Sequence, residues 1–141
     1  MKNTICSLVG MIGSGVTAIF GGWDAGLTTL LIFMAIDYVS GLIVAAVFHK
    51  STKTESGTLQ SKAGFAGLCR KGMTLLFVLI AYRIDLIIGT NYIRYGVIIA
   101  FITNELISIT ENAGLMGVPL PTVIVKAIDI LKQKQKEDED K

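Results

Sequence analysis

The sequence is poor in the residues that soluble chemistry needs. Histidine occurs once, at His49, and cysteine twice, at Cys6 and Cys69. A single histidine leaves nothing from which to build an imidazole metal site or a histidine-based triad. The two cysteines are too far apart for metal spacing and form no disulfide framework. Packing or surface roles account for all three residues, and no metal or cofactor is expected. There is also no glycine loop of the phosphate-binding type and no carboxylate pair suited to a soluble pocket. The only prolines are Pro119 and Pro121, so no proline interrupts a helix before that point.

Charge is scarce over most of the chain. It collects in Lys50–Lys71 and Lys126–Lys141, and the net charge is only +2. Basic residues that flank apolar runs favour a membrane surface over nucleic acid as their partner. The chain is 52% hydrophobic before its 15 glycines are counted, against about 45–50% with glycine included in ordinary domains. Apolar blocks separated by charged ones are what lipid demands, because a charge at the bilayer centre costs about 2.5–3.5 kcal/mol on insertion scales. The expected fold is therefore all-α, an integral membrane protein whose partner is the lipid bilayer.

A spanning helix needs about 20 mostly apolar residues. The candidate spans are 5–20, 25–48, 72–89 and 92–110, with a loop at 49–71. The first is short and interrupted by glycines. Its Gly10, Ser14 and Ala18 share one face at four-residue spacing, which suits close helix packing. Lys2 followed by this run also resembles a signal peptide, although no convincing small-residue cleavage site precedes Trp23. Lys50, Lys53, Lys62, Arg70 and Lys71 around the long loop, and the lysines of the tail, place both segments in the cytoplasm by the positive-inside rule. Four spans with both termini inside satisfy this. Three spans and an outer N-terminus follow if the first segment is cleaved or lies on the surface. Residues 1–112 then form the membrane domain and 113–141 a cytoplasmic tail. In that tail Gly114–Pro121 breaks the helix, and Ile124, Ala127, Ile128 and Leu131 form one apolar stripe. Such an amphipathic helix suits a membrane surface or packing against copies of itself.

Ionisable residues inside spans are functional candidates. Asp37 is about 18 Å from either end of its span and must be protonated, paired or facing water. Gly41 and Ala45 lie near its face and permit close helix contact. Asn104, Glu105, Ser108, Glu111 and Asn112 project into one arc of the last span, a stripe that suits a pore lining or an oligomer interface. Trp23, Arg70, Lys71, Arg83 and Arg94 read as interfacial anchors, and Asp85 is grouped with Arg83. The inverted repeats and paired broken helices of transporters are absent.

Several short motifs occur in order. They are Gly22-Trp23-Asp24, Asp37-Tyr38-x-x-Gly41, Gly64-Phe65-x-Gly67-Leu68-x-Arg70-Lys71, Asn104-Glu105-x-x-Ser108-Ile109-x-Glu111-Asn112 and Gly117-x-Pro119-x-Pro121. Together, from about Gly21 to about Lys132, they resemble the holins of phage lysis and toxin secretion. The resemblance implies a non-enzymatic homo-oligomer in the bacterial inner membrane. It would open lesions through which endolysin, a functional partner needing no direct contact, or a toxin escapes. An antiholin is a possible further partner. The same fold also admits an antiholin or regulator, and a small ion channel or transporter is the remaining alternative.

Overall fold

The computed structural model describes residues 1–141 as five helices with no strand. Helix α1 runs over Lys2–Ile19, α2 over Ala25–Ile43, α3 over Ser61–Ile88, α4 over Ile93–Leu115 and α5 over Thr122–Glu139. A π-helical turn, Val44–Phe48, prolongs α2.

Local chemistry sets the boundaries. Gly21 and Gly22, both at positive φ, end the α1 segment. A side chain at Gly21 would meet the Tyr82 ring at 2.6 Å, so only glycine fits this corner. Asp24 then caps α2 by accepting a 2.8 Å hydrogen bond from the Leu27 amide. The π-turn closes at His49, the one non-glycine residue at positive φ. Gly89, also left-handed, ends α3 in the manner expected of a C-terminal glycine.

The expected span 72–89 is the second half of a longer helix. The segment before it, expected to belong to the loop, is helical from Ser61, so the loop contracts to residues 49–60. No proline interrupts that stretch, and its glycines are tolerated inside the helix. By length and composition two helices could cross a membrane. They are Ala25–Phe48, with a mean hydropathy of 2.3, and Ile93–Leu115, with 1.3.

The core lies between α2, α3 and α4. Leu27, Leu30 and Met34 of α2 meet Val78 of α3 and Ile98 and Ile102 of α4. Their three- and four-residue spacings put each set on one helix face. Phe77 and Phe101 add a tilted ring pair with centroids 6.4 Å apart. Only 15 of 141 residues are buried, and apolar side chains such as Ile32, Ile36, Leu76, Ile80 and Ile87 face outward. A surface of that kind suits lipid rather than water. In lipid the bundle must be held by close packing and polar ties, because apolar burial no longer drives association.

Helix α1 buries none of its residues. Helix α5 folds back antiparallel along α4. Its stripe residue Ile128 is buried, Leu131 packs on the core, and Lys134 stands 5.1 Å over the Tyr95 ring. The stripe expected to face a membrane or another copy thus rests on the chain's own α4.

Candidate functional site

Each of the three core helices contributes one charge to a common point. Lys71 of α3 places its Nζ 2.7 Å from Asp37 Oδ2 of α2 and 2.6 Å from Glu105 Oε2 of α4. The side chains are 15%, 7% and 8% exposed, so water does little of the solvation. Lys71 stands 34 positions from each acid. Its long stem lets an ammonium that starts near the end of a span reach inward to carboxylates deeper in the bundle. An Asp or Glu in lipid needs such a partner, and the pairing ties α3 to the α2–α4 pair.

Asn112 completes the arrangement. Its Nδ2 donates to Ser40 Oγ at 2.8 Å and to Asp37 Oδ1 at 3.2 Å. Close approach here depends on Gly41, whose missing side chain would lie 3.7 Å from both Asn112 Nδ2 and Lys53 Nζ. Two carboxylates share one ammonium, leaving an excess negative charge when both are ionised. Lys53 and Arg70 line the adjoining polar recess, where Asn104 and Ser108 also lie. They supply positive charge at its mouth.

The expected stripe on α4 therefore divides. Glu105 and Asn112 are buried inside the bundle, Ser108 is half-buried, and Asn104 and Glu111 are exposed. Of the expected packing residues, Ala45 is buried and Gly41 touches α4, whereas Gly10, Ser14 and Ala18 pack against no other helix of the chain. Lys71, read as an interfacial anchor, is instead the central cation of the triad. The signal available in the sequence was a charge count. Two acids sit deep in spans, and the nearest basic residue able to follow them is at the start of the third.

A second polar cluster holds the opposite end. Asp85, grouped with the anchors, is buried and caps the next helix. It accepts from the amides of Ile93 at 3.1 Å and Arg94 at 2.8 Å, and from Thr90 Oγ1 at 2.6 Å. Arg94 is likewise more than an anchor. Its guanidinium donates to Phe20 O at 2.5 Å, Gly22 O at 3.1 Å and Asp24 Oδ2 at 2.6 Å, clamping the α1–α2 corner to α4. Partial burial pushes the Asp24 carboxyl up. Hydrogen bonds from Arg94 and the Leu27 amide outweigh this and hold it below its usual value. Trp23, Arg70 and Arg83 are exposed and make no ion pair, as anchors would be.

Comparison with known proteins adds an independent line. Residues 14–133 match the model of the bacteriophage holin family. A protein of Listeria monocytogenes is 40% identical over 135 residues, covering 94% of this chain and 91% of its own. A 14.9 kDa protein of Clostridium perfringens is 36% identical, covering 88% of this chain and 89% of its own. A probable holin of Bacillus phage phi105 is 30% identical over 118 residues, covering 80% of this chain and 82% of its own. No solved structure matches.

Proposed function

This chain belongs to the bacteriophage holin family, and from that premise we propose that it assembles in the bacterial cytoplasmic membrane and opens lesions for endolysin release. The family is not an enzyme family. The observation that carries the reading is the Lys71–Asp37–Glu105 triad, buried among helices whose other faces are apolar. Charges so placed favour helix association over lipid exposure. They also feel the membrane potential, at about 2.3 kcal/mol per charge per 100 mV for full transit. Loss of the potential would then shift the triad between a closed array and an open lesion.

The proposed topology has four spans, formed by α1, α2, the second half of α3, and α4, with both termini cytoplasmic. Lys50, Lys53 and Lys62 near the triad's end of the bundle support it. So does the turn after α4, where Gly114 and Leu115 share a recess with Thr52 and Lys53. The unpaired Gly10–Ser14–Ala18 face suits contact between copies. Toxin passage is a second use of the same lesion.

The test is inducible expression in a bacterial host, with the times of growth arrest and dye entry recorded. The holin reading expects abrupt permeabilisation after a fixed delay, with timing or oligomer size altered by Asp37→Asn and Glu105→Gln. Unchanged timing and unchanged oligomer size in both variants would remove the triad from the mechanism. Expression without permeabilisation would assign the chain to the antiholins.

A further inference from the structure

Helix α5 has one apolar stripe, and in this structure α4 occupies it. The fit is incomplete. Ile128 is buried, yet Val123 and Ile130, on the flank of the same stripe, are 73% and 63% exposed. At the far end Asp138 Oδ2 is buried without any hydrogen-bond partner, a costly state for a carboxylate. Docking also lays Lys126, Asp129, Lys132 and Lys136 alongside a helix apolar enough to cross a membrane. Hydrocarbon around α4 would not solvate those charges.

A different partner satisfies the whole helix. Thr122–Lys136 carries four lysines and one acid, Asp129. With its apolar stripe in the interface and its lysines toward phosphates, it has the make-up of a helix that lies on an anionic bilayer. Release from α4 would also free Asp138 to meet water. We infer that α5 exchanges between two sites, the Tyr95–Gly96 flank of α4 and the anionic surface of the membrane. The lipid-bound state uncovers that flank of α4. The inference rests on the membrane location proposed above but needs no pore.

The geometry supplies its own probe. A side-chain carbon at Gly96 would stand 3.5 Å from Asp138 Cβ, within the usual disulfide range of about 3.5–4.5 Å. The full chain carrying Gly96→Cys and Asp138→Cys, with Cys6→Ser and Cys69→Ser, is oxidised in detergent micelles, in phosphatidylcholine vesicles, and in vesicles that also contain phosphatidylglycerol. Cross-linking should be efficient in micelles and fall about tenfold in the anionic vesicles relative to phosphatidylcholine alone. Adding Lys132→Glu and Lys136→Glu should restore it there. Equal cross-linking in all three media, cross-linking in none, or a fall that the charge reversal leaves unchanged would overturn the exchange. Dye release from the same vesicles reports pore formation separately, so the pore reading can fail while the α5 result stands.

Discussion

The two polar clusters at opposite ends of the bundle are built from similar residues and by different means. At the outer end, Asp85 and Arg94 spend most of their hydrogen bonds on backbone groups, namely the amides of Ile93 and Arg94 and the carbonyls of Phe20 and Gly22. Those partners cannot titrate or swing away, so the cluster fixes the corners where one helix hands over to the next. At the triad, Lys71, Asp37 and Glu105 bond each other through flexible side chains from three different helices. The outer end is therefore a clamp. The triad is the part that a change in charge or potential can rearrange, and it is also where the sign balance is uneven.

The largest effect expected from breaking this contrast comes from Lys71→Met. It leaves two carboxylates facing one another in the bundle and should cost about 3–5 kcal/mol, read as lost accumulation in the membrane or a lower melting temperature in detergent. Combining it with Asp37→Asn and Glu105→Gln should recover most of that stability, because a fully neutral site has no unpaired charge. Arg94→Met comes next. It removes charged hydrogen bonds worth about 1.5–3 kcal/mol each at best and should free the α1–α2 corner, seen as protease cleavage near Gly22 with the triad still formed. Asp85→Ala should cost about 1 kcal/mol, as loss of a helix cap does, measured as faster amide exchange at Ile93 and Arg94. The smallest effect is the pH response of the clamp. The Asp24 pKa is lowered by folding, so its contribution is full above the unfolded value of about 3.9 and is lost as pH falls through the lower folded value. The stability difference between wild type and Asp24→Asn should therefore shrink below about pH 4. A difference that persists into stronger acid would detach the Arg94 contact from that shift.

Much of this architecture was legible as pattern. Helix α2 with its extension coincides with the apolar run 25–48, because block hydropathy is a property of the local sequence. Asp37 was recognisable as a residue in need of a partner. The identity of that partner was not, since Lys71 sits beside Arg70 at a span edge, where both read as anchors. Only tertiary packing turns one inward and leaves the other exposed. Asp85 was obscured in the same way, because its acceptors are used by amides across the turn in the next helix. The stripe on α5 was visible in the spacing of Ile124, Ile128 and Leu131, but a stripe does not name the surface that covers it.

The most direct test of the central claim, that one lysine shared by two buried acids holds the helices in their functional arrangement, is the time of permeabilisation after induction. It is compared for wild type, Lys71→Met, and the neutral triple variant at matched membrane levels. The account predicts that Lys71→Met loses or badly mistimes the event, and that the triple variant regains assembly with a changed delay. Lys71→Met that accumulates and opens on the wild-type schedule would contradict it.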